Sequence, residues 1–218
     1  MREGYELRAS YTPFTPTSVP DDRVLVVTRI AIVDSQPAVR AGLTMLLRTE
    51  PGLVPVGTAT GAHDGFALIE RLSPSVVLLE QHLLDGDGLS LCRRLKALPR
   101  PPKVILYTAD PDGELVLLAR VACADGMVDK AADPDELFEA IRVVARGGAA
   151  LPPLDPETLD AAAHAVDPED LALLAMLVDG TPVSDAADTL RLDPRKVGRR
   201  VERLLGRLRA GARATAVA

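Results

Sequence analysis

Five polar residues fall where apolar runs stop. Asp34 and Ser35 follow RIAIV (29–33), Glu80 closes SVVLLE (75–80), Thr108 closes KVILYT (103–108) and Lys130 follows GMVD (126–129). Two carboxylates, two hydroxyls and one ammonium can pair charge, coordinate a hard cation or cap a helix. A lysine at a strand end facing two carboxylates is seldom accidental. Asp34 suits either a metal or the cap of a helix beginning near Gln36, and Thr108 alone is also an ordinary strand residue. In the loop LDGDG, Asp85 and Asp87 read as a solvated residue and an N-cap, while His63, His82 and His164 lack metal-site spacing.

These residues form one pocket only if their strands lie side by side. Short β-branched runs at 29–33, 53–57, 75–80, 103–108 and 126–129 alternate with segments of helical period starting near Gln36, Gly61, Asp87, Pro111 and Pro134. Each parallel crossover needs a helix, so the alternation predicts an α/β fold: a doubly wound, five-stranded parallel sheet covered on both faces. Chemistry in such a sheet gathers at the carboxyl ends of the strands, where all five polar residues stand. Residues 1–27, rich in Thr and Pro, read as a disordered arm ahead of a 28–148 domain, and the small residues and prolines of 149–166 as a linker. From 167 to 218 three short helices are announced by Asp167-Pro168, Thr181-Pro182 and Asp193-Pro194, the device also seen at Asp110-Pro111 and Asp133-Pro134.

A net charge of −6 excludes a chain that coats nucleic acid along its whole length, but residues 191–213 are locally basic. There Val197, Val201, Leu204, Leu205 and Leu208 form one helical stripe, and Lys196, Arg200, Arg203 and Arg207 another. A helix with one packing side and one cationic side suits the major groove of double-stranded DNA. Arg195, Lys196, Arg199 and Arg200 are placed for bases, Arg203 and Arg207 for phosphates. Gly198 within this helix costs about 1 kcal/mol. Cys92 and Cys123 are expected to be buried free thiols in a reducing cytoplasm. No apolar run approaches the roughly 18 residues of a membrane span, and no activated nucleophile points to enzymatic turnover.

The stretches IAIVDSQPAVRAGLTMLL, VVLLEQHLLDGDGLSLCRRL, VILYTAD and ADGMVDKAADPDELFEAIRVVARGG resemble the receiver domain of two-component response regulators. The tail from DPEDLALLAML resembles a LuxR-type helix-turn-helix, and together they resemble the NarL/FixJ arrangement across most of the chain. The resemblance implies a flavodoxin-like receiver joined to a small all-α DNA-binding domain, acting as a transcription regulator and homodimer. Receivers hold Mg²⁺ on an acidic pair and phosphorylate an aspartate, with a hydroxyl and a lysine assisting. By motif, Asp34, Thr108 and Lys130 are kept, but Ser35 stands where the second metal acid belongs and Glu80 at the phosphoacceptor. Leu84 replaces the usual proline and Met127 the usual aromatic. Misplacing a reacting carboxylate by an ångström costs about a hundredfold. The expectation is therefore a phosphorylation-independent receiver without bound Mg²⁺ or another cofactor, in which Glu80 pairs with Lys130. A small molecule or regulatory protein would replace phosphate as the input. The alternatives are an interaction or anti-activator module without DNA binding, and phosphorylation at a non-standard carboxylate. The residues after Gly211 resemble the start of a fourth, dimer-forming helix cut short at Ala218, which leaves dimerisation to the receiver.

Overall fold

The computed structural model describes residues 27–215, so the arm expected over 1–27 lies, but for Val27, outside the described residues. The element order is β1 (Thr28–Val33), α1 (Pro37–Thr49), β2 (Leu53–Ala59), α2 (Ala62–Leu72), β3 (Val76–Leu79), a hairpin of β4 (His82–Leu83) and β5 (Gly86–Asp87), α3 (Gly88–Lys96), β6 (Lys103–Thr108), α4 (Gly113–Val121), β7 (Gly126–Asp129) and α5 (Pro134–Ala145). The five-stranded sheet is parallel throughout, in the order β2-β1-β3-β6-β7.

Successive strand residues point to opposite faces, and both faces are apolar. Ile30, Ile32, Val76, Leu78 and Ile105 turn one way and pack with Leu43, Leu47, Leu137 and Ile141 of α1 and α5. Ala31, Val33, Val77, Leu79, Val104 and Leu106 turn the other way, toward Ile69, Leu95 and the apolar side chains of α4. Two expected helix starts move along the chain. α4 begins after Asp112, whose carboxylate accepts the Leu115 N–H at 2.7 Å, rather than at Pro111. The helix Val183–Leu190 begins one residue past Pro182.

Beyond the sheet lie α6 (Pro156–Ala165), a 3₁₀ turn (Pro168–Asp170), α7 (Leu171–Val178), α8 (Val183–Leu190) and α9 (Pro194–Thr215). The stretch 149–166, which reads as a linker, contains a helix, α6. Asp155 caps it, accepting from the Thr158 N–H at 2.7 Å with Pro156 at the first turn. The small residues that read as linker are the ones that let a helix pack closely, as the buried Ala162 does. The fourth helix expected after Gly211 is corrected: α9 continues without a break to Thr215. Its alanines and arginines are good helix formers, which carry the helix past Gly211.

The feature that ties both halves together is α4. Leu115, Val116, Leu117, Leu118, Ala119 and Val121 are all buried, so the helix is covered on every side. One side faces the sheet, and the other meets α6, α7 and α9. A single apolar cluster therefore runs from Val33 and Leu79 through α4 to Leu173, Leu177, Val201, Leu204 and Leu208. Arg120, at the end of α4, donates from Nη1 to the Val178 carbonyl at 3.0 Å and from Nη2 to the Pro152 carbonyl at 2.8 Å. Arg209 of α9 pairs with Asp87 at 2.5 Å.

Candidate functional site

Register builds the pocket. Val33 lies beside Leu79, Leu79 beside Leu106, and Thr108 beside Asp129. The residues that follow emerge at one edge, and backbone bonds Glu80 N–H to Val33 O (2.8 Å) and Lys130 N–H to Thr108 O (2.7 Å) extend the ladder to the site itself.

Asp34 is 2% exposed and performs two tasks. Its Oδ1 accepts the Gln36 N–H at 2.7 Å, in the turn just ahead of α1 and not on a helical N–H, so the expected cap is not formed, and its Oδ2 accepts from the Lys130 ammonium at 2.7 Å. Glu80, 6% exposed, turns one oxygen to the backbone N–H groups of Gln81 (2.5 Å) and His82 (3.1 Å) and the other to Lys130. The Lys130 side chain is only 12% exposed. Burial opposes its charge, but the hydrogen bonds and charges of Asp34 and Glu80 outweigh burial and raise its pKa above the ordinary 10.5. Thr108 is buried, with Oγ1 accepting the Asp110 N–H at 3.4 Å, and Ser35 donates to the His82 carbonyl at 3.3 Å. The structure thus brings Asp34, Glu80 and Lys130 into direct contact and leaves Ser35 and Thr108 on backbone partners.

An octahedral Mg²⁺ takes hard oxygens at about 2.1 Å. Here both carboxylates already face an ammonium, and Glu80 spends its second oxygen on backbone N–H groups. The Ser35 hydroxyl is a poor substitute for an acid. This donor set does not fit the cation.

The acidic loop does more than expected. Asp87 caps α3 as predicted, accepting the Ser90 N–H at 2.8 Å. Asp85 caps α2 across the fold, accepting the Ala62 and His63 N–H groups at 2.5 and 3.0 Å, and these bonds hold its carboxyl below the usual range. Two glycines make room for this. A Cβ at Gly61 would meet the Asp85 carboxylate at 2.3 Å, and one at Gly88 would meet the Glu80 backbone carbonyl at 2.2 Å. Neither close approach is visible in the sequence, which shows the glycines but not what lies against them. The two cysteines are free thiols, Cys92 buried and Cys123 partly so, and burial pushes Cys92 up to about 12.

On α9 the six basic residues divide. Arg195, Lys196, Arg199 and Arg203 are exposed and have no ion-pair partner among the described residues. Arg200, expected to meet bases, is partly buried instead. Its Nε donates to Asp170 at 2.6 Å and its Nη2 to the Glu169 carbonyl, fastening α9 to the start of α7. The reason is a buried Asp170, which must be neutralised. Arg207 pairs with Asp167 at the surface, at 2.5 Å. Gly198 and Gly206 leave open space, with nothing within 4 Å of an added Cβ.

Among known proteins, residues 30–142 match the response regulator receiver domain. The chain is 31% identical over 190 residues to the DNA-binding transcriptional activator DevR/DosR of Mycobacterium tuberculosis, covering 83% of this chain and 88% of that one. It is 24% identical over 198 residues to the nitrate/nitrite response regulator protein NarL of Escherichia coli, covering 86% and 92%. Among solved structures, a LuxR-family two-component response regulator from an Aurantimonas species superposes with a TM-score of 0.56 at 29% identity, over 58% of this chain and 91% of that one. RcsB of Salmonella enterica, solved on promoter DNA, gives 0.57 over 83% and 91%, and at 18% identity it attests the fold alone. Among the described residues no helix is long and apolar enough to cross a membrane. A receiver match over residues 30–142 and likeness to DevR/DosR and NarL across both halves mean that this chain belongs to the NarL/LuxR-type response regulators.

Proposed function

We propose that the chain is a DNA-binding transcription regulator whose output does not depend on phosphorylation of its receiver. The observation that carries this is the Lys130 ammonium, held between Asp34 and Glu80 where the receiver resemblance implies a phosphorylatable aspartate beside a metal. Phosphoryl transfer is catalysed by positioning and charge neutralisation. Here the lysine's charge is already spent on two fixed carboxylates, and Ser35 stands where the metal's second acid belongs. Glu80 supplies a permanent negative charge in place of a transient one. The input then comes from a small molecule or a regulatory protein. DNA is bound through the exposed Arg195, Lys196, Arg199 and Arg203, with Arg200 and Arg207 serving the fold of the tail. The protein pairs as a homodimer through its receiver, and because α6, α7 and α9 cover α4, the pairing surface lies on another face.

Incubation with acetyl phosphate and Mg²⁺ is expected to leave no acid-labile label and no change in a promoter mobility shift. Stoichiometric label on Glu80 or a neighbouring aspartate would overturn the reading. The rival, an interaction module without DNA binding, draws on the engagement of Arg200, Arg207 and Arg209 with carboxylates of the chain itself. Absence of any shift at low salt would favour it, since phosphate contacts are strongest there.

A further inference from the structure

The outer face of α9 carries one acid. Glu202 is exposed among Arg195, Arg199 and Arg203, and has no ion-pair or hydrogen-bond partner among the described residues. It lies on one helical row with Gly198 and Gly206, four residues before and four after, and a Cβ at either glycine would touch nothing within 4 Å. Packing among the described residues therefore explains neither this carboxylate nor the two glycines beside it. Glycine in a helix interior gives up stability, and its usual compensation is close approach of the backbone to something outside.

We propose that Glu202 is a specificity-determining residue of the DNA-contacting face, accepting a hydrogen bond from the exocyclic amine of a cytosine in the major groove. This rests on the DNA-binding reading above. A carboxylate carried toward a duplex meets mostly anionic phosphate and acceptor atoms, both repulsive. The partners it can gain are the amino groups on the base edges, of which cytosine N4 is the one glutamate and aspartate read. The bare backbone at Gly198 and Gly206 lets this row sink toward the groove floor, bringing a short side chain within reach. The flanking Arg195, Arg199 and Arg203 offset the charge repulsion and are free to meet guanines and phosphates.

The test is selection of bound fragments from a random duplex pool by the full chain, run in parallel with Glu202→Ala and Glu202→Gln. The wild type is expected to enrich cytosine at one position of each half-site by about tenfold or more. Glu202→Ala should level that position alone, keep the preferences elsewhere, and bind unselected DNA more tightly at low salt. Because Glu202 is exposed and unpartnered, both variants should melt with the wild type. A motif identical in wild type and Glu202→Ala would overturn the assignment and leave the DNA-binding reading standing. Adenine, rather than cytosine, at the position lost in the variant would overturn the cytosine assignment. A wild type that selects nothing and shows no retention at low salt would sink the DNA-binding reading, and this inference with it.

Discussion

At the scale of single residues, the pocket turns on one ammonium shared by two buried carboxylates. Removing it strands both, whereas altering one carboxylate leaves a pair intact. Lys130→Met is therefore expected to cost about 3 kcal/mol in urea unfolding of the full chain, and Glu80→Gln, which keeps Asp34 and Lys130 together, about 1 kcal/mol. Equal losses would mean that the three groups do not act as described. The pH dependence follows from the raised pKa of Lys130. As pH rises, the unfolded chain loses this proton first, near 10.5, and the folded chain only later. The stabilisation is whole at pH 7 and shrinks above 10.5, so the gap between wild type and Lys130→Met should stay level up to about pH 10 and narrow above 10.5. The pocket's membership was legible, because strand ends and residue types suffice to gather Asp34, Glu80, Thr108 and Lys130. The fate of Arg200 was not. Periodicity placed it beside Lys196 and Arg203, but it could not reveal Asp170, thirty positions earlier, buried and in need of a counter-charge.

Among the elements, the parallel sheet and its helices could be read from alternating periods, since both-face burial writes itself as unbroken apolar runs. Turns were harder, because a glycine's role depends on what approaches it. Gly88→Ala should cost about 2 kcal/mol, since its Cβ would fall 2.2 Å from the Glu80 carbonyl and backbone cannot swing aside. Gly61→Ala should cost less, because the obstructing Asp85 carboxylate can rotate away and give up its cap on α2. Gly198→Ala should instead stabilise, by up to about 1 kcal/mol, as nothing lies within 4 Å of its new methyl. Measured in one denaturant series, the order Gly88→Ala, Gly61→Ala, wild type, Gly198→Ala from least to most stable checks all three. The segment 149–166 misled because Ala and Pro serve both linkers and short capped helices, and the Asp155-Pro156 start resembles those recognised elsewhere in the chain.

At the scale of the molecule, the two halves were readable separately but their junction was not. Its polar partners lie 58 and 122 positions apart, Arg120 with Val178 and Arg209 with Asp87, beyond the reach of any periodicity. One signal was available: an α4 apolar on every side cannot be satisfied by the sheet alone. The continuous core through α4 couples the halves energetically, so heat should unfold the chain in one calorimetric transition rather than two. The junction's most exposed weakness is Arg120. Its guanidinium is partly buried, with Nε lacking a partner and with two carbonyls, not a carboxylate, as acceptors. Those charged hydrogen bonds are together worth about 3 kcal/mol. Arg120→Ala combined with Arg209→Ala removes both polar ties while sparing Asp87, which must still cap α3. The double variant should separate the transition into two and open the segment between Arg146 and Asp155 to protease. A single, merely lowered transition would show that the apolar contacts of α4 suffice by themselves to hold the halves as one unit.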